Sequence, residues 1–234
     1  CYMYLFYTPD IAKESVLSEE ESKHAVRVLR LQSGDEIDVV DGAGNYYKAR
    51  ITNPNPKRCE FLVYETIVNF GVRPYRLHIA IAPTKNIERL EWFIEKCTEI
   101  GIDEITPILC RYSERKQVKE ERLKKIVISA AKQSLKADFP KLNPLCRFEE
   151  LLRKPFAGQK FIAHCYDLDK TPLKKAYRPA CEALILIGPE GDFSKEEVEI
   201  AIQNGYIPIS LGTSRLRTET AGIVACHTVA LSNE

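Results

Sequence analysis

Two stretches in the last quarter of the chain decide the fold: residues 184–194 read LILIGPEGDFS, and residues 207–221 read IPISLGTSRLRTETA. Each stretch begins with an apolar run typical of a buried strand, passes through a glycine-bearing loop, and leads into a helical pattern. In an open α/β sheet, ligands lie at the carboxyl ends of the strands. We therefore expect the chemistry of this protein in these two loops.

Strand and helix patterns alternate from residue 77 onward, which is typical of a parallel sheet. The predicted strands are 77–82, 105–109, 161–165, 184–187 and 207–211. The predicted helices are 86–100, 120–136 and 218 onward. A further helix is predicted from a capping box of Ser194 and Glu197 to Asn204. The sequence thus predicts an α/β domain over 75–234.

The first 70 residues favour short strands instead. The predicted strands are 36–40, 46–52 and 60–67, and the sequence DGAGN at 41–45 makes the first two a hairpin. Ser18 and Glu21 form a capping box for a helix that carries His24. We predict a small β-barrel-like domain over 1–70, followed by a linker at 69–74.

The overall charge of the chain gives no sign of a nucleic-acid partner. Its 234 residues are 44% hydrophobic and 29% charged, with a net charge of +1, as in an ordinary globular protein. Residues 111–136, however, carry nine basic and three acidic side chains. This segment is compatible either with a phosphate-binding stripe or with a solvated helix face.

The eight cysteines are scattered and form no CxxC, and the four histidines form no HExxH. We therefore expect no metal site, and reduced thiols that suit the cytoplasm. No apolar run approaches the roughly 20 residues that cross a bilayer, and the N-terminal residues lack a signal-peptide pattern. The sequence leaves open whether Met3 is the natural first residue.

The two loops do not fit the common phosphate-binding patterns GxGxxG and GxxxxGK[ST]. By itself, GPEG at 188–191 is compatible with a simple tight turn. The second loop, however, brings Arg215, Arg217 and Glu219 close to Gly212 in sequence. Two arginines and a carboxylate beside a glycine suit a polar or anionic ligand better than a structural turn.

Taken together, the motifs LIGPEGxFS at 186–194, LG at 211–212 and LRTETA at 216–221 resemble the RsmE family. These are SPOUT-class enzymes that methylate N3 of a uridine in small-subunit ribosomal RNA. HxxxVLR at 24–30 and AxQS at 131–134 extend the resemblance over nearly the whole chain. The chain departs from the family pattern at Asp192, at Ser214 and Arg215, and at the pair Leu135-Lys136.

The resemblance implies an N-terminal PUA-like β-barrel domain that binds RNA, and a SPOUT α/β domain whose C-terminal segment forms a trefoil knot. It also implies a homodimer, and S-adenosylmethionine bound among the knot loops. The cofactor contacts that it implies are Ile187, Gly188, Pro189, Leu211, Gly212, Leu216 and Arg217. Glycine at 188 and 212 would let the cofactor approach the backbone closely.

Methylation of uracil N3 requires loss of the N3 proton or stabilisation of charge on the flanking carbonyl oxygens. Arg217 is the first candidate for charge stabilisation, and Glu219 or Glu190 is the candidate that accepts the proton or orients the base. Two structural alternatives stay open. Glu219 also suits the N-terminal end of the last helix, and Glu190 suits the bracing of its own turn.

The candidate RNA contacts are His24, Arg27 and Arg30 in the N-terminal domain, and Arg111, Arg115 and Lys116 in the C-terminal domain. His24 also suits a structural helix position, and we expect Trp92 and Phe93 in the core rather than as a base-stacking surface. The expected partner is small-subunit ribosomal RNA or the assembled small subunit, with no membrane and no metal. Two alternatives are a SPOUT enzyme with another target, such as a ribose 2′-hydroxyl, and a non-catalytic RNA-binding or ribosome-assembly protein.

Overall fold

The computed structural model describes residues 4–234, so Met3 lies outside the described residues. The chain forms two compact units, which we describe separately. The first comprises residues up to Val72 together with Ile128–Phe139, and the second comprises Arg73–Val127 together with Pro140–Glu234.

The first unit contains a four-stranded sheet in the order β1-β2-β3-β4. Its strands are β1 (Leu5–Tyr7), β2 (Glu36–Val40), β3 (Tyr46–Asn53) and β4 (Glu60–Ile67). β1 pairs parallel with β2, and the other pairs are antiparallel. The predicted hairpin is confirmed, and Asp41 explains its turn, because its carboxylate accepts the backbone N–H groups of Ala43 and Asn45.

The predicted N-terminal helix is present, but its second half is π-helical. Helix α1 covers Glu19–Lys23, and a π-helical turn, His24–Val28, follows it. The Ser18 hydroxyl accepts the N–H of Glu21 at 3.2 Å, as a capping box requires. The Glu21 carboxylate instead accepts the N–H of Tyr7 and pairs with Lys132, so the box is only half formed.

The second unit contains a sheet in which every strand pair is parallel, as predicted. The strand order is β10-β12-β9-β11-β5-β6-β7, and β8 also pairs with β6. The strands are β5 (Arg76–Ile81), β6 (Glu104–Leu109), β7 (Lys141–Leu142), β8 (Cys146–Arg147), β9 (Gln159–Ala163), β10 (Thr171–Pro172), β11 (Glu182–Ile187) and β12 (Ile207–Ser210). The strands β7, β8 and β10 were not predicted, because two residues are too few for a periodic pattern.

The helices are α2 (Ile87–Ile100), α3 (Glu120–Gln133), α4 (Phe148–Leu152), α5 (Leu173–Ala176), α6 (Lys195–Gln203) and α7 (Thr218–Leu231). The capping box of Ser194 and Glu197 is complete and begins α6. Helix α3 ends at Gln133 rather than at the predicted 136, because Leu135 adopts a left-handed φ of 57°.

Helices α2 and α7 pack closely against each other. A Cβ atom at Gly222 of α7 would lie 2.6 Å from Cδ2 of Phe93, a fully buried ring on α2. Only glycine therefore allows this approach of the two helices. The contact fixes the start of α7, which carries Glu219, against the start of α2.

Candidate functional site

The two motif loops lie at the same edge of the parallel sheet. β12, β9, β11 and β5 are neighbours in this order, so the loops that follow their carboxyl ends lie side by side. The hydroxyl of Thr218, in the second motif, donates a hydrogen bond to the carbonyl of Gly188, in the first motif, at 3.0 Å. The fold thus joins the two stretches that the sequence analysis selected.

The loop after β11 is held tightly by its own backbone. Ile187 accepts the N–H of Ala82 from the end of β5, and Pro189 accepts the N–H of Asp192. A Cβ atom at Gly188 would lie 3.1 Å from the backbone nitrogen of Phe193. Gly188 is therefore needed for the tight path of the loop, and Ile187, Gly188 and Pro189 are all buried.

Asp192 replaces a glycine that the family often has, and the structure shows how it is accommodated. Its φ of 66° is a left-handed conformation, which aspartate tolerates better than most residues. Its carboxylate accepts the N–H of Cys165 at 2.7 Å and the N–H of Phe193 at 2.8 Å. Asp192 therefore ties the loop after β9 to the loop after β11.

The second motif loop is more open. Gly212 has a φ of 124°, which side-chain-bearing residues rarely adopt. Within residues 4–234, no atom other than those of its two chain neighbours lies within 4 Å of the place where a Cβ would stand. Leu211 and Leu216 are half-buried, whereas Arg217 is exposed directly before α7. The guanidinium of Arg217 contacts no polar partner within residues 4–234.

Glu219 is a buried carboxylate in the first turn of α7, with only 5% of its surface exposed. One oxygen, Oε1, lies 3.8 Å from Nε of Arg89, a residue of α2. The other oxygen, Oε2, has no hydrogen-bond partner among the described residues. A role at the helix end alone does not explain this arrangement, because leaving a buried carboxylate oxygen unpaired is costly.

Glu190 occupies a different position from Glu219. It is exposed, and its Oε1 accepts the backbone N–H of Lys85 at 2.9 Å, so it braces the loop after β5. It also lines a cleft of about 380 Å³ at the N-terminal end of α2. The cleft is lined by Lys85, Asn86, Arg89, Glu114 and Glu190, and we call it the α2 cleft.

Sequence reasoning missed two residues of this region, Arg89 and His164. His164 follows β9, is 7% exposed, and neither of its ring nitrogens has a hydrogen-bond partner in the described part of the chain. Burial lowers the pKa of His164, and the charge of Lys170 lowers it further, whereas Asp192 raises it. The net shift is downward, so the neutral ring is favoured. A histidine at the carboxyl end of an apolar strand was the available signal, whereas Arg89 resembles any charged residue on a helix surface.

The candidate RNA contacts lie in both units. In the first, His24 and Arg27 are exposed on the π-helical turn, and Arg30 is exposed with a φ of 59°. In the second, Arg111 and Lys116 are exposed, and Arg111 lies 3.8 Å from Glu196.

Arg115 is more constrained than the other RNA candidates. Its guanidinium donates to the carbonyls of Thr84 and Lys85, so it supports the loop after β5.

Trp92 also differs from the expectation, because 46% of its surface is exposed while Phe93 is fully buried. Consecutive helical residues point about 100° apart, so the core prediction is right for Phe93 and wrong for Trp92.

Within residues 4–234, no helix is long and apolar enough to cross a membrane. The same residues contain no group of three or more histidine, cysteine or acidic side chains able to hold a metal ion. The seven cysteines in this range all have free thiols.

Comparison with known proteins identifies the family of both parts of the chain. Residues 72–230 match the family described as RNA methyltransferase domain, and residues 17–64 match the RNA methyltransferase PUA domain. Ribosomal RNA small subunit methyltransferase E from Synechocystis sp. is 32% identical over 216 residues, which cover 89% of this chain and 70% of that protein.

Two solved structures show the same fold. A probable rRNA-methyltransferase from Porphyromonas gingivalis has a TM-score of 0.92 and 43% identity, covering 98% of this chain and 99% of that one. Ribosomal RNA small subunit methyltransferase E from Neisseria gonorrhoeae, bound to S-adenosyl methionine, has a TM-score of 0.84 and 25% identity, covering 97% and 96% of the two chains. The chain therefore belongs to the ribosomal RNA small subunit methyltransferase E family, the RsmE family that its loop motifs resemble.

Proposed function

We propose that this protein transfers a methyl group from S-adenosylmethionine to N3 of a uridine in small-subunit ribosomal RNA. The observation that carries the proposal is the meeting of the two family motifs at one sheet edge, joined by the hydrogen bond from Thr218 to Gly188. The Neisseria relative, bound to S-adenosyl methionine, supports the cofactor.

The residues of the two motif loops fit S-adenosylmethionine. Gly212 is exposed, with a φ of 124° and open space beside it, so that a ligand can lie directly on its backbone; we call this place the cofactor cradle. Half-buried Leu211 and Leu216 provide apolar surface beside it. We place the cofactor against Ile187, Gly188, Pro189, Leu211, Gly212, Leu216 and Arg217; bound there, it supplies an electrophilic methyl group.

The chain's own residues prepare the acceptor base. Glu219 is the first candidate for the proton acceptor, because its Oε2 is buried and unpaired, whereas Oε1 of Glu190 already accepts the N–H of Lys85. Glu190 stays as the alternative acceptor. Arg217 is free to donate to a carbonyl oxygen on which negative charge develops.

We propose that the domain over 1–70 binds ribosomal RNA and that the domain over 75–234 transfers the methyl group. His24, Arg27 and Arg30 would contact RNA from the first domain, and Arg111 and Lys116 would contact phosphates from the second. Arg115 would contribute mainly by holding the loop after β5. We expect the protein in the cytoplasm, together with its proposed substrate, free RNA or the assembled small subunit.

We also propose the trefoil knot and a homodimer for this chain. The position of β9 between β11 and β12, and the hydrogen bond of Thr218 to the carbonyl of Gly188, support the knot. Trp92 on α2 and Leu231 on α7 are exposed apolar side chains, and they support a second copy as the partner that covers them.

The cofactor site is tested by thermal unfolding with and without S-adenosylmethionine. A ligand that binds only the folded protein raises its stability, by about 2.7 kcal/mol at a concentration of about 100 times Kd. We expect a higher unfolding temperature with S-adenosylmethionine. An unchanged unfolding temperature at saturating cofactor would contradict the proposal and favour the non-catalytic RNA-binding interpretation.

A further inference from the structure

The α2 cleft borders the first motif loop and is connected to the second through Arg89. Glu190, on its wall, lies two residues after Gly188 of the first motif. Arg89, also on its wall, reaches Glu219 of the second motif, which follows Thr218 directly. Since Thr218 is bonded to Gly188, the cleft lies beside the place where the two motifs meet.

Arg89 and Glu219 form an incomplete polar pair. Their only contact is the 3.8 Å approach of Nε to Oε1, too long for a good hydrogen bond. The Glu219 side chain is 93% buried, since its exposed fraction is 7%, whereas that of Arg89 is 37%. Oε2 of Glu219 and the terminal nitrogens of Arg89 have no further partners among residues 4–234. The pair therefore offers unused donors on Arg89, which lines the α2 cleft, and one unused acceptor, the buried Oε2 of Glu219 behind it.

This donor and acceptor match one edge of uracil. That edge presents a carbonyl oxygen, the N3–H donor and a second carbonyl oxygen in a row. We propose that Glu219 accepts the N3–H of the target uracil while Arg89 donates to an adjacent carbonyl, which makes Arg89 a further catalytic and specificity-determining residue. The proposal rests on the proposed function and names the base-recognition groups of that same site.

The pair also discriminates against cytosine. Cytosine has no hydrogen at N3, so its N3 lone pair would face the Glu219 carboxylate, and both groups would lose a hydrogen bond. Buried polar groups left unpaired give strong discrimination against the wrong substrate. Exposed Lys85, already paired with Glu114, is a weaker candidate for this recognition.

The proton and electron balance of the step is simple. N3 gives its proton to Oε2 of Glu219 and uses the electron pair of the broken N–H bond to bond the methyl carbon. The bond from that carbon to sulfur breaks, and its electron pair goes to the sulfur. Arg89 stabilises the charge that develops on the neighbouring carbonyl oxygen during this change.

The test compares Arg89→Gln with Arg76→Gln in the full chain. Arg76 is a matched control, because its Nε lies 3.8 Å from Oε1 of Glu182, at the opposite edge of the sheet. The measurements are kcat and KM on unmodified small ribosomal subunits, S-adenosylmethionine affinity by calorimetry, and the unfolding temperature. Arg89→Lys tests whether a positive charge alone restores turnover.

We expect Arg89→Gln to lower kcat about 10- to 100-fold, as loss of a charge-stabilising donor does. Cofactor affinity and unfolding temperature should stay at the wild-type values, Arg89→Lys should recover part of kcat, and Arg76→Gln should turn over within about twofold of wild type. Wild-type kcat in Arg89→Gln would overturn the inference, and so would an equal loss of kcat in Arg76→Gln or a parallel loss of cofactor affinity. If the wild-type protein forms no 3-methyluridine, the proposed function fails and the inference fails with it.

Discussion

Single residues at the motif loops show why the sequence pattern is so specific. Gly188 has no room for a side chain, Gly212 has a backbone conformation that disfavours one, and Asp192 takes a left-handed conformation where the family often has glycine. The need for glycine in these loops could be predicted from the sequence, because glycine-bearing loops after strands indicate close ligand approach. The pairing of Arg89 with Glu219 could not, because the two residues are far apart in sequence and no local pattern connects them.

Gly212→Ala tests the cofactor cradle. We expect the affinity for S-adenosylmethionine to fall about tenfold or more, since the new Cβ would occupy the cradle and the left-handed backbone would be strained. Gly34→Ala is the control, because Gly34 has a φ of 98° and open space around it but lies in the first unit. Calorimetric titration measures the S-adenosylmethionine affinity of both variants. Wild-type affinity in Gly212→Ala would contradict the placement of the cofactor.

Elements with a complete periodic pattern were predicted well, and those shaped by distant partners were not. Helix α6 has its whole capping box within one segment, so its start and end could be predicted. The capping box of helix α1 is only half formed, because Glu21 pairs with Lys132, which is 111 residues away. Long-range partners of this kind are absent from any local window of sequence.

Gly222→Ala tests the contact of α7 with α2. Helix propensity alone predicts that alanine stabilises a helix by about 1 kcal/mol relative to glycine. We expect the opposite, a loss of about 1–3 kcal/mol in the free energy of unfolding, because the new methyl group overlaps the ring of Phe93. Urea unfolding measures the change, and adding Phe93→Leu should recover part of it. A stabilised Gly222→Ala protein would show that the helices can separate at no cost.

We expect His78, which lies on β5, to make the free energy of unfolding depend on pH. Burial lowers its pKa to about 4, with Glu104 acting against this and Lys141 and Lys154 adding to it. The ring bonds to Thr106 across the two strands at 2.7 Å. Between about pH 6.5 and 4 the unfolded chain binds a proton that the folded chain does not, so stability falls as the pH falls.

The full effect of His78 is about 3 kcal/mol, reached near pH 4. We expect the free energy of unfolding of the wild type to fall more steeply between pH 6.5 and 4 than that of His78→Gln. His164 contributes the same sign in both proteins, so their difference isolates His78. Urea unfolding at several pH values measures the slopes. Identical slopes would contradict the prediction.

At the scale of the whole molecule, the sequence predicted the fold class but not the assignment of every segment. Residues 128–139 belong to the first compact unit although they lie within the stretch over which the sequence predicts the α/β domain. The strand order β12-β9-β11-β5 likewise depends on contacts between distant segments. The alternation of strand and helix patterns predicted the α/β architecture, and the family resemblance added the assignment of both parts of the chain to known domain families.

Light scattering tests the proposed homodimer. We expect a mass of two chains in solution, because α2 and α7 expose apolar side chains that a second copy would bury. Trp92→Glu should give a folded monomer, since it places a charge in that surface. Leu62→Glu, at an exposed position of β4 in the first unit, is the control and should stay dimeric. A stable wild-type monomer would contradict the dimer.

The central claim is that the site formed by the two motif loops, at the edge of the parallel sheet, transfers a methyl group to uracil N3. The most direct test incubates the protein with isotopically labelled S-adenosylmethionine and unmodified small ribosomal subunits, and identifies the labelled nucleosides by mass spectrometry. We predict labelled 3-methyluridine. Label on a ribose oxygen would contradict this claim. The absence of any label on subunits that a characterised family member can methylate would also contradict it.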